Sequence, residues 1–215
     1  MRHLTLARLA SAAALLALTL PTASAAQVGA NESLLNPNLA GEEELLAVPG
    51  LDAEVVEALL EQRPFLAMAN LHALLVEHVD GETFDGLYRQ IWIPIDLNDV
   101  TNEEILLIPG VGDRMLHEFE EYRPYAQLAE FRREIGKYVD DDEVARLEQF
   151  VFVPLDLNSA ASEDFATIPG VGPRMIHEFE EYRPYVGIEQ FRREIGKYVD
   201  DDEVARFERY MTIGR

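Results

Sequence analysis

Two short stretches carry residues whose types and spacing suit anion chemistry. Gly110-Val111-Gly112 is followed by Arg114, and Gly170-Val171-Gly172, sixty residues on, is followed by Arg174. A glycine turn that opens a helix can aim backbone N–H groups at a phosphate, and the adjacent arginine would add charge. A second basic cluster, Arg132, Arg133 and Lys137, recurs as Arg192, Arg193 and Lys197. It can meet phosphates or pair with nearby carboxylates such as Glu134 or the run Asp140–Glu143. The acid of this chain favours the pairing.

Other chemistry finds little support. Asp140–Glu143 and Asp200–Glu203 lack the spacing and central glycine of a calcium loop, and helix capping accounts for them. His117 and His177 have no ligand partner at metal spacing, and His72 with His78 is a weak pair on different helix faces. No nucleophile–base pair is recognisable. The reading is therefore of a protein that is not an enzyme, with no catalytic residues, no cofactor, no metal and no small-molecule substrate. Trp92, Phe152, Tyr122–Tyr125 and Tyr182–Tyr185 offer aromatic surface for a base or a partner, or fill small helical cores. Trp92, at a junction between copies, is the aromatic most worth following.

The elements that must position these residues come in a repeat with a period of 60. Val48-Pro49-Gly50, Ile108-Pro109-Gly110 and Ile168-Pro169-Gly170 are in register, as are Asn38, Asn98 and Asn158. So are Arg63-Pro64-Phe65, Arg123-Pro124-Tyr125 and Arg183-Pro184-Tyr185. The text FRREIGKYVDDDEVAR stands unchanged at 131–146 and 191–206. Within the second copy, four helices are predicted. Thr101 or Asn102 caps the first, Asn102 to Leu107, and a second starts near Asp113 with Met115, Leu116, Phe119 and Tyr122 inward. A third runs Gln127 to Tyr138, and Asp140 caps a fourth with Glu143 completing a capping box. The apolar, proline-broken joints IWIPIDLN and VFVPLDLN read as extended segments that dock on the core, setting the copies in a semi-rigid row.

The N-terminus reads as a leader. Arg2, His3 and Arg8 precede the apolar run Leu9 to Leu20 and an Ala23-Ser24-Ala25 cleavage site. The expected division is a signal peptide at 1–25 and copies at 26–95, 96–155 and 156–215. Cleavage after Ala25 would make an exported chain, periplasmic or secreted, with no membrane insertion. It would also remove Arg2 and Arg8 and take the formal charge from −22 to −24. The chain has no cysteine, so its stability must come from a core. Only Lys137 and Lys197 are lysines among 18 basic residues, against 40 acidic ones. Such a field repels polyanions unless cations gather on one face.

A short capped helix, Ile-Pro-Gly-Val-Gly and a second helix resemble the helix-hairpin-helix motif. The wider pattern, ending in Arg-Pro-aromatic and another helical pair, resembles the modules of ComEA-type competence proteins, exported receptors for incoming DNA. The resemblance covers nearly all the chain beyond the leader, three times. It implies an all-α fold of three tandem helix-hairpin-helix modules after a signal peptide. It also implies phosphate contacts through Gly110, Val111, Gly112 and Arg114, and through Gly170, Val171, Gly172 and Arg174. The chain departs from that pattern too. The first copy reads Gly50-Leu51-Asp52, and Asp113 follows the second turn. The later turns of each unit hold Val79-Asp80-Gly81, Tyr138-Val139-Asp140 and Tyr198-Val199-Asp200, so two of six hairpins keep both glycines. The helices behind those two carry Glu118, Glu120, Glu121 and Glu178, Glu180, Glu181. The same module, without DNA binding, occurs in the extrinsic lumenal subunit of photosystem II, which the chain distantly resembles. Charge therefore points to a non-enzymatic scaffold whose partner is another envelope protein, with the Gly-Val-Gly turns kept for helix packing; a DNA receptor is the alternative.

Overall fold

A computed structural model describes residues 27–29 and 34–214; the proposed leader lies outside these residues. The described chain is mostly helical. Its helices are α1 (Glu42–Leu46), α2 (Ala53–Glu61), α3 (Met68–His78), α4 (Phe84–Tyr88), α5 (Asn102–Ile105) and α6 (Asp113–Glu121), followed by α7 (Leu128–Ile135), α8 (Asp141–Glu148), α9 (Ser162–Phe165), α10 (Pro173–Glu181), α11 (Ile188–Ile195) and α12 (Asp201–Glu208). Among the described residues, no helix is long and apolar enough to cross a membrane.

Several helix ends follow directly from capping chemistry. Thr101 Oγ1 accepts from Glu104 N–H, and Glu104 reaches back to the Thr101 N–H, a reciprocal box that starts α5. Asp140 caps α8 by accepting the Glu143 N–H at 3.0 Å. The predicted capping box at that helix is not formed, because the Glu143 carboxylate turns forward to Arg146 at 2.6 and 2.7 Å. The charged pair three residues apart on one helix face wins over the weaker backbone contact. Helix α7 is shorter than the predicted Gln127 to Tyr138, since Gly136–Tyr138 curl into a turn whose N–H groups return to Arg132, Glu134 and Ile135.

The joints between copies are extended, as their sequences imply, and they pair in parallel. Strand β1 (Ile95–Asp96) lies beside β2 (Val151–Phe152), and β3 (Leu155–Asp156) beside β4 (Met211–Thr212). An isolated parallel bridge joins Leu35 to Ile91. Each pairing ties the segment that opens a copy to the segment that closes it. The asparagines in register hold the same closure. Asn98 accepts the Tyr125 N–H at 2.7 Å and donates to the Tyr125 carbonyl at 2.9 Å, and Asn38 and Asn158 do the same for Phe65 and Tyr185. A side-chain amide thus imitates one backbone pair of a sheet. The arginines of the Arg-Pro-aromatic triplets donate to carbonyls in the joints or just before the first helix of a copy: Arg123 to Leu97 and Arg183 to Leu157, Arg63 to Ala40 and Arg183 also to Ala160.

One apolar cluster runs through the first and second copies, from Leu34 to Val153, and a second fills the third copy around Phe165, Phe179, Phe191 and Phe207. Trp92 belongs to the first cluster. It is fully buried, donates its indole N–H to the Phe150 carbonyl at 2.9 Å, and sits edge-on to Tyr88 and Phe150. The surface role considered for it is overturned: the indole is part of the core at the joint.

The copies do not form an open row. Leu39 of the first copy reaches Gly170 of the third, and a cleft of about 390 Å³ separates Asn38, Arg63 and Pro64 from Asp200, Glu203 and Arg206. Residues 27–29 lie along the joint before the third copy, with Gly29 N–H donating to Val151 O and Val153 N–H to Gln27 O. Arg209 donates to the Pro94 carbonyl at 2.6 Å. A periodic sequence repeats the unit; the joint geometry sets the curvature, which here brings the ends together.

Candidate functional site

The two Gly-Val-Gly turns share one construction. The first glycine takes a left-handed backbone, φ +83° at Gly110 and +78° at Gly170, which a side chain reaches only with strain. The valine between the glycines folds back, its N–H donating to Ile108 at 3.0 Å or to Ile168 at 3.1 Å. Val111 and Val171, expected among the phosphate donors, therefore have their N–H groups satisfied inside the turn. An arginine from the fourth helix of each copy braces the turn from below. Arg206 is 3% exposed, donates to the Pro169 carbonyl and pairs with Glu203, while Arg146 pairs with Glu143 beside Gly110. The sequence showed these arginines but not their position, since contacts across 36 residues leave no local pattern.

The second glycine behaves differently from the packing role expected of it. Gly112 (φ −122°, ψ −177°) and Gly172 (φ −103°, ψ 170°) are extended, a conformation open to any residue. A Cβ placed on either would meet nothing within 4 Å. The left-handed backbone accounts for Gly110 and Gly170, close packing adding to it at Gly170, and neither accounts for Gly112 and Gly172. As N-caps of α6 and α10, these glycines offer no side chain to the helix N–H groups behind them. Asp52, in the matching place of the first copy, does: its carboxylate accepts the Glu54 and Val55 N–H groups, both at 3.0 Å.

The cations divide into two sets. Every member of the secondary cluster is held by a carboxylate. Arg132 grips Glu148 with both arms, Arg133 and Lys137 share Glu134, Arg192 bridges Glu208 and Glu189, and Arg193 and Lys197 share Glu194. Glu134 is held below the usual carboxylate range by Lys137 first and Arg133 second, and the bond from Glu148 pushes Arg132 up. Arg114 and Arg174 are exposed and, among the described residues, pair with no carboxylate; Arg174 lies over the Tyr198 ring at 5.9 Å. The structure thus brings Arg114 to Gly110 and Gly112, and Arg174 to Gly170 and Gly172. It keeps the secondary cluster apart, in ion pairs of its own.

The glutamates behind the turns are unequal. Glu120 and Glu121 face outward, whereas Glu118 is buried at 7% exposure and Glu178 at 8%. Glu118 lines a cleft of about 330 Å³ with Gly110, Gly112, Arg114 and Tyr138. The Tyr138 hydroxyl is pushed above its usual range by its bond to Tyr122 and then by Glu118, and Tyr198 by Tyr182 and Glu178. The sequence offers these glutamates as one set behind each turn; only the helix register against the neighbouring turn separates them. The histidines are unremarkable: His117 and His177 face Glu121 and Glu181 one turn on, and His72 Nδ1 sits 2.5 Å from the Tyr88 hydroxyl. Among the described residues, no three metal-ligating side chains converge. No family model, curated protein or solved structure matches the chain.

Proposed function

We propose that the chain is an exported, non-enzymatic scaffold of three tandem helix-hairpin-helix modules that binds another protein of the cell envelope. The observation that carries this reading is the neutralisation of the basic cluster. Arg132, Arg133, Lys137, Arg192, Arg193 and Lys197 are each tied to a carboxylate, which among the described residues leaves Arg114 and Arg174 free of a carboxylate beside the turns. A duplex neutralised by two cations would lose affinity with salt at a slope of only about −1.8 on logarithmic axes. A chain of formal charge −22 would oppose even that contact.

A DNA receptor is the second reading, favoured by the uncapped N-termini of α6 and α10 beside two unpaired arginines. Fluorescence anisotropy with a labelled duplex across a salt series separates the two. The scaffold reading expects flat anisotropy at low salt and recovery of an envelope protein on the immobilised chain. Micromolar binding that weakens with salt and disappears in a Gly112→Asp, Gly172→Asp variant would replace it with the receptor reading.

A further inference from the structure

Burying a carboxylate oxygen without a partner is costly, and folded proteins seldom leave one so, even where the other oxygen is bonded, as Glu118 is to Tyr138 and Glu178 to Tyr198. This chain does it twice, at positions sixty residues apart. Glu118 Oε2 and Glu178 Oε2 are buried and, among the described residues, have no hydrogen-bond partner. Each is roofed by a tyrosine pair, Tyr122 with Tyr138 and Tyr182 with Tyr198, whose hydroxyls are 2.8 Å apart in both copies. In the second copy the carboxylate lines a cleft that it shares with Gly112, Asp113, Arg114 and Tyr138. This place resembles a phosphate site from outside, yet its inner wall is negative.

We propose that the Glu118 cleft, and the equivalent buried carboxylate of Glu178, receive the guanidinium of an arginine presented by a partner polypeptide. A planar guanidinium would supply the hydrogen bond that Oε2 lacks and could lie against the Tyr138 or Tyr198 ring, as Arg174 already lies over the Tyr198 ring. Arg114 and Arg174 stand one turn before these glutamates and do not pair with them. They are resident competitors: swung inward, each would cover the glutamate of its own copy. Asp113 adds a second negative group to the lining of the Glu118 cleft, while Pro173 stands in its place after Gly172. The inference rests on the protein-binding reading and names the chemistry of its partner.

The probe is acetyl-arginine amide, titrated into the purified protein at about 0.15 M salt, where diffuse attraction to the acidic surface is screened. Binding is read from NMR shifts of the Tyr138 and Tyr198 rings. Glu118→Gln with Glu178→Gln is expected to weaken binding ~10-fold or more, the loss of a charge-assisted hydrogen bond. Glu103→Gln with Glu163→Gln, which removes the same charge from exposed positions, is expected to leave binding unchanged. Arg114→Ala with Arg174→Ala is expected to tighten it. The proposal is overturned by an absence of ring shifts, by equal weakening in the Glu118/Glu178 and control variants, or by loss of binding in the arginine variant. None of these disturbs the scaffold reading. That reading falls instead to salt-dependent DNA binding, measured separately.

Discussion

The turn at Gly50-Leu51-Asp52 and the turn at Gly110-Val111-Gly112 follow the same path but start the helices behind them differently. Both have a left-handed first glycine, φ +98° and +83°, and both return the next N–H three residues back. In the first copy Asp52 then turns its carboxylate onto the helix N–H groups; in the second, Gly112 leaves them facing outward. The backbone of the turn is thus a structural necessity in every copy. Its readiness for an outside group is decided by one residue, and the first copy has closed itself with an anion of its own.

The comparison can be broken most strongly at the left-handed glycines. Gly170→Ala should destabilise the protein by about 2–3 kcal/mol, because the added Cβ meets strain and also sits 2.9 Å from Arg206 Nη2 and 3.0 Å from Leu39. Gly110→Ala, with its nearest contact at 3.5 Å, should lose only ~1–2 kcal/mol. Urea melts of the two variants test this ranking; equal losses would mean that Leu39 does not seal the third turn.

The second and third copies also differ from each other, at Asp96 and Asp156. Burial is the largest influence on Asp96 and raises it to about 6. Burial also pushes Asp156 up, but bonds from Asn158, Gly214 and Ser159 outweigh it and the group is held below its usual range. The signs therefore oppose. The unfolded chain ionises Asp96 more easily than the folded one, so stability is lost between about pH 4 and 6 and stays lost above. Asp96→Asn should stabilise the protein at pH 7 by ~1–3 kcal/mol, an advantage that fades towards pH 4. Asp156→Asn should destabilise at pH 7 and converge on the parent as pH falls below the ordinary carboxylate range. Thermal melts of the three proteins at pH 4 and 7 read both signs.

At the caps themselves the effects are smaller. Asp52→Ala should cost ~1 kcal/mol by exposing two N–H groups, while Gly112→Asp should gain only about 0.3 kcal/mol by covering them, since glycine is itself a tolerated cap. Gly112→Ala, where a side chain meets nothing, should stay within ~0.5 kcal/mol of the parent. A loss of several kcal/mol at Gly112→Ala in chemical denaturation would restore a packing role to that glycine.

Much of this was legible along the chain. The helical elements of the second copy, the Asp140 cap and the extended joints follow from spacing, capping residues and proline, all of which act over a few neighbouring residues. The asparagines in register were visible as a pattern without a cause, because their bonds span 27 residues to the Arg-Pro-aromatic triplet. Glu143 was misread as half of a capping box because Arg146 competes for it from the same helix. The basic cluster was rightly suspected of pairing with acid. Its partner at Arg132, however, is Glu148 from α8, which no local rule selects.

By itself, then, the sequence determined the repeat, the helices and the left-handed turns, since these depend on the conformational preferences of residues close together in the chain. Which glutamate of three was buried, which arginines stayed unpaired and how far the copies curled were decided only in three dimensions. Those outcomes depend on which side chains compete for the same partner once helices distant in sequence are pressed together. A repeated text cannot record that competition: Gly110 and Gly170 have the same neighbours in sequence, and only Gly170 meets Leu39.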